Sequence, residues 1–197
     1  MTGLSDRAKQ LIPKARIVSF ESWKDLPSDA IAIFQRADDE RTYLSDEDLA
    51  SLSAQGAIAK LPAANGSATT VVKLLRDQAP DIIDEARGDV LKSFPGILEP
   101  GGGLCPPVRA DACWRDFWQF LRCITYGIAG GHDHYTSAEG LQAMEQLYEE
   151  LKVPLPAMVQ GIKGLKAASL SRFEADVQSA IAPQFDHLIH QLSTFLP

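Results

Sequence analysis

The chain has 197 residues, carries 26 acidic against 19 basic side chains for a net charge of −7, and is 45% hydrophobic. No apolar run reaches the roughly 18 residues of a membrane span, the opening MTGLSDRAKQLIPKAR lacks the continuous apolar stretch of a secretory leader, and no Lys/Arg cluster leaves the electrostatic footprint of a nucleic-acid binder. A soluble protein kept in the cytoplasm is expected, large enough to bury a core without staples, and its odd number of cysteines (Cys105, Cys113, Cys123) argues against a disulfide framework.

Residues 1–26 hold Leu11, Ile12, Ile17, Val18, Phe20 and Trp23 without a long period and are interrupted by Pro13. This pattern separates an N-terminal arm (1–26), with room for one short helix, from a domain over 27–197. Ile31, Phe34 and Ala37 stand at helical spacing after Pro27-Ser28, which predicts a short helix. Ser45 can cap a second one, since Asp46, Glu47 and Asp48 suit the positive end of a helix dipole. Asn65-Gly66, inside a small and polar stretch over 61–70, reads as a turn.

Helix resumes near Thr70. Val72, Leu75, Ala79, Ile82, Ile83, Ala86 and Val90 keep the i, i+3/i+4 rhythm, while Pro80 should bend or split it. From Phe94 to Pro107 the prolines and glycines forbid regular structure. Ala110–Ala129 then predicts a helix whose apolar residues (Trp114, Phe117, Trp118, Phe120, Leu121, Ile124, Tyr126) cover most of its circumference, the mark of a central helix. Ser137–Lys152 is the next, with Leu141, Met144, Leu147, Tyr148 and Leu151 on one face. Two more are expected, from Pro156 to about Val177 and from Pro183 to Phe195. No useful period-2 pattern appears, so the fold class is all-α with seven or eight helices.

Few residues carry chemistry. Cys113, near the start of the predicted central helix, reads as a reactive or attachment thiol if the helix N–H dipoles lower its pKa, and otherwise as a small buried apolar residue. Asp116 shares its face at i+3 and needs a partner, because an unpaired buried carboxylate is costly. Arg115, Arg122 or the N–H groups of a ligand could serve. His132 and His134 around Asp133, and His187 and His190 beside Asp186, read as solvated surface groups rather than metal ligands. No Ser-His-Asp or Cys-His signature is present, and Gly101–Gly103 lacks the Gly-Lys-Ser/Thr ending of a phosphate loop.

An ordered set of motifs resembles the phycobiliprotein family, in its allophycocyanin branch. Tyr43-Leu44-Ser45 with Leu49 is similar to the family's "YLS..EL", and Pro100-Gly101-Gly102 stands at the family's distance before a cysteine. Cys113-Trp114-Arg115-Asp116, Leu121-Arg122 and Thr125-Tyr126-Gly127-Ile128-Ala129-Gly130 match "C.RD....LR..TYG..AG", and Phe185-Asp186-His187-Leu188-Ile189 resembles "FDYLI". The chain departs from the pattern at Gly103–Pro107, at Gly131-His132 and in its arm.

The resemblance implies a globin-like all-α fold with an N-terminal helical hairpin. It also implies an open-chain tetrapyrrole (a bilin, phycocyanobilin-like) joined by a thioether to Cys113, with Arg115 on a propionate, Asp116 accepting from the pyrrole nitrogens, and Phe117 and Phe120 lining the rings. Asp38 or Asp39, Tyr43 and Arg122 would join a phycobiliprotein-type subunit, with linker proteins as further partners, at the cytoplasmic face of the thylakoid. The expected role is light harvesting or excitation energy transfer without catalysis. The alternative is a homologue without stable pigment, acting in assembly, regulation or bilin holding. A haem-binding globin relative is disfavoured because no histidine falls on the central helices.

Overall fold

The computed structural model describes residues 4–61 and 67–196, so the expected Asn65-Gly66 turn lies outside the described residues. Nine helices appear among them: α1 (Asp6–Leu11), α2 (Ser28–Glu40), α3 (Asp46–Ala54), α4 (Ala68–Asp77), α5 (Ala79–Ser93), α6 (Pro107–Gly130), α7 (Ala138–Leu151), α8 (Leu155–Leu170) and α9 (Ala175–Ser193). No strand is present among the described residues beyond an isolated bridge between Val18 and Thr136. The class is all-α, as the periodicity predicts.

Local chemistry sets most boundaries. The Ser45 side chain accepts from the Asp48 N–H while Asp48 accepts from the Ser45 N–H, a reciprocal capping box that starts α3. Pro80 splits the 70–90 pattern: α4 ends at Asp77 and Pro80 falls in the first turn of α5, where its missing N–H costs nothing.

The last two helices differ from expectation, since the break falls at residues 171–174 and Pro183 lies inside α9. An interior proline costs about 3 kcal/mol. Against it stand Val177, Ile181, Phe185, Leu188 and Leu192, all buried along one stripe that runs through the proline, each contributing about 1.5–3 kcal/mol. The stripe outweighs the lost hydrogen bond, so the helix continues.

α6 is the central element. Every residue from Phe120 to Gly130 is buried, and the helix packs against α4, α5, α8 and α9, while α5 lies along α8 and α8 along α9. Gly161 permits the closest of these approaches: a Cβ there would overlap the tip of the Phe117 ring, so the α6–α8 contact requires a residue without a side chain.

The N-terminal arm enters the same core. Ser5 caps α1, whose Ala8 and Leu11 pack on Leu147 of α7. Beyond it, Ser137 N–H donates to Ile17 O at 2.7 Å and Ser19 N–H to Tyr135 O at 3.0 Å. The Arg16 carbonyl meets α7 where only Gly140 leaves room. Trp23 is fully buried, edge-on to Phe20 and Phe34 at 4.9 and 5.0 Å and stacked on His132 at 4.3 Å. Trp23→Ala is expected to cost about 3–5 kcal/mol in urea unfolding; a loss below about 1 kcal/mol would mean that the arm does not fold with the core.

Candidate functional site

The first half of α6 carries the residues singled out in the sequence, and the preceding loop fixes how that half is presented. Leu104 is buried, and its N–H donates to Ile97 O at 3.0 Å. In the first turn of α6, Arg109 donates to three carbonyls: Gly103 at 3.0 Å, Leu151 at 3.0 Å and Lys152 at 2.7 Å. One guanidinium thus ties together the loop, α6 and the C-terminal end of α7, leaving α7 alongside Cys113 and Asp116.

Asp116 finds its partner there. Tyr148 of α7 donates its hydroxyl to Asp116 Oδ2 at 2.8 Å. Of the partners the sequence leaves open, neither arginine pairs with it: Arg115 is exposed and acts on Asp116 only through its charge, and Arg122 is engaged elsewhere. Burial pushes the Asp116 carboxyl up to about 6, with the Tyr148 hydrogen bond and the Arg115 charge pulling the other way. Oδ1 receives no hydrogen bond from any described residue. Tyr148 was legible only as part of an apolar stripe, although a phenol in such a stripe itself calls for a polar partner.

Cys113 also departs from expectation. α6 begins at Pro107, so the thiol sits nearly two turns inside the helix, past the unpaired N–H groups that lower a pKa. It is 5% exposed, and burial first, then the Asp116 charge, push it up to about 12, against a smaller pull from Arg109. At neutral pH it is a protonated thiol.

Phe117 and Phe120 face inward and are fully buried, while Trp114 lies nearer the surface under the Arg87 guanidinium, 5.2 Å from its ring centroid. Clefts of about 490 and 410 Å³ open between the arm and α7 and between α5 and α8; neither is lined by Cys113 or Asp116.

The residues with expected subunit contacts meet one another within the chain. Arg122 donates to Asp38 Oδ1 at 2.8 Å and to the Tyr126 hydroxyl at 2.7 Å. Its Nε donates to Gln119 at 2.8 Å, and Tyr126 in turn donates to Thr42 O. Both Asp38 and Arg122 side chains are only 6% exposed. Arg16 of the arm reaches Asp38 and, at 2.6 Å, the more exposed Asp39, whose carboxyl it holds below its ordinary pKa. Tyr43 donates to Trp118 O at 3.2 Å.

A bilin would need a thiol, a carboxylate for its pyrrole N–H groups and cations for its propionates. Cys113, Asp116 and Arg115 supply that set on less than one turn of α6, and the open Oδ1 is an acceptor suited to an N–H donor, so the donor chemistry fits.

Asp116 gives the site a pH signature. Because its pKa is raised on folding, the folded state binds more protons than the unfolded state between about pH 4 and 6, and stability falls as pH rises through that window. Asp116→Asn should flatten this part of a profile of unfolding midpoint against pH; an unaltered slope would remove the buried carboxyl as its source.

Residues 32–192 match the family model described as phycobilisome protein. Among curated relatives, the allophycocyanin subunit alpha-B of Nostoc sp. is 32% identical over 163 residues, covering 82% of this chain and 96% of that protein. The subunit of the same name from Synechocystis sp. is 27% identical with the same coverage. The allophycocyanin alpha-B chain of Cyanidium caldarium is 33% identical over 124 residues, covering 62% and 76% of the two chains. With the motif spacing on α6 and the all-helical architecture, these matches place the chain in the phycobilisome protein family, as a divergent allophycocyanin-like member.

Proposed function

We infer that this chain is a bilin-binding light-harvesting protein of the phycobilisome that takes up and passes on excitation energy and catalyses no reaction. The observation that carries the reading is the Cys113–Asp116 pair: a thiol and an acid one helical turn apart, the acid retaining an unused oxygen in a partly buried setting. When bound, a phycocyanobilin-like tetrapyrrole would supply the visible absorption.

Cys113 would give its sulfur to the ethylidene carbon and its proton to the neighbouring carbon, an addition with no leaving group. Because burial keeps that proton on sulfur, attachment calls for a separate enzyme that provides the base and opens the site. Asp116 would accept from the pyrrole N–H groups, and Arg115, exposed at the helix surface, would hold a propionate. Phe117 and Phe120 would support the ring system from the core side.

The partner would be another phycobiliprotein-type subunit, with linker proteins beyond it. Asp39 and Arg16 form the accessible edge of the Asp38–Arg122 cluster and would make the contact, with Asp38, Tyr43 and Arg122 bracing it from within. No helix among the described residues is long and apolar enough to cross a membrane, and the cytoplasmic face of the thylakoid is the proposed location.

Coexpression with a bilin source and an attachment enzyme should yield a zinc-fluorescent band on a denaturing gel, lost in Cys113→Ala. Asp116→Asn should keep the adduct but move its absorption maximum. A folded, helical wild-type chain without any adduct would sink the antenna reading and leave action through protein contacts alone.

A further inference from the structure

The loop after α6 brings together two histidines that are far apart in sequence. α6 ends at Gly131 in the left-handed region (φ 75°), and the chain then runs across α9. Tyr135 anchors it there, its hydroxyl donating to Gln184 O at 3.0 Å, and its carbonyl accepts from Ser19 of the arm at 3.0 Å. Asp133 accepts from Gln184 Nε2 at 2.6 Å. Between these anchors, His134 Nδ1 lies 3.1 Å from His187 Nδ1 of α9, the two rings perpendicular. The other nitrogen of His187, Nε2, stands 2.8 Å from Thr136 Oγ1.

We propose that His134 and His187 form a binding site for a divalent first-row transition-metal ion of the Zn²⁺, Ni²⁺ or Cu²⁺ kind. Imidazole nitrogens coordinate such ions at about 2.0–2.1 Å. At those bond lengths, two nitrogens 3.1 Å apart subtend roughly 100° at a shared ion, between the octahedral and tetrahedral angles. With Nε2–H of His187 donating to the Thr136 hydroxyl, its Nδ1 presents a lone pair toward His134, the outer-shell arrangement that orients metal-binding histidines.

In the ion-free chain the two Nδ1 atoms share one hydrogen-bonding proton, and the ion would take its place. Tyr135, 5.2 Å from His187, supplies an aromatic wall. No group of three or more His, Cys, Asp or Glu residues converges among the described residues. The site is therefore a two-ligand one, with water completing the coordination on the side of exposed His134. A bound ion would fasten the 131–137 loop, and with it the docked segment of the arm, to α9.

The test is calorimetric titration of the full chain with ZnCl₂ at pH 7.5 in a non-coordinating buffer, paired with thermal melting. Saturable one-to-one binding and a raised Tm are expected. His134→Ala, at an exposed position that leaves the fold intact, should weaken binding at least tenfold, as should His187→Ala. His190→Ala and Cys105→Ser should bind within twofold of wild type. No binding by the wild-type chain, equal binding by His134→Ala, or loss of binding in Cys105→Ser would each overturn the proposal.

Discussion

A stretch of helix with no exposed side must find a partner for every polar group it carries, and the rest of this protein is arranged around how the second half of α6 does so. Its C-terminal half is enclosed from Phe120 to Gly130, yet includes Arg122, Thr125 and Tyr126. Thr125 turns back to the Arg122 carbonyl at 2.7 Å, while Arg122 and Tyr126 reach out to Asp38 and Thr42. Breaking such a buried pair by removing one partner costs about 3–5 kcal/mol, although the intact pair adds little net stability over an apolar substitute. Its contribution is an anchor: the Asp38–Arg122 pair ties the last turn of α2 to α6.

The same demand shapes the candidate site one turn before the enclosed half. Asp116 stands where α6 passes from partial to full burial, and a hydroxyl from α7 meets it on one oxygen only. A carboxyl in that position is poised between two states of satisfaction, and a ligand with N–H groups would complete what Tyr148 begins. The Arg109 clamp matters because it holds α7, and so Tyr148, beside that carboxyl. The burial that pushes the Cys113 thiol up also raises the Asp116 carboxyl, so one environment holds the proton on both groups to higher pH than usual.

The sequence was most informative where a single helix face decided the outcome. The all-round apolar pattern over 110–129 identified the central helix, and Pro80 marked a real division. Pro183 looks like a helix start in the local sequence, but the apolar stripe that continues past it keeps the helix intact. Cys113 reads as a residue near the helix start because the Pro106-Pro107 pair looks like loop, whereas Pro107 opens the helix. Tyr148 and the His134–His187 contact were beyond reach for a different reason: each joins elements 32 or more residues apart, and no local pattern encodes which faces will meet. The motifs on α6 point to the family because those residues share one helix.

The docking of the arm has a consequence for how the chain is made. Residues 17–23 leave the ribosome more than a hundred residues before their partners in the 132–140 segment. At about 5–20 residues per second, Trp23 and Phe20 wait unburied for many seconds of synthesis. The pairing of Val18 with Thr136 cannot form until α6 is complete. A segment made more than a hundred residues before its partners is therefore among the last to find its place, and during that interval its aromatic side chains are available to whatever else is nearby.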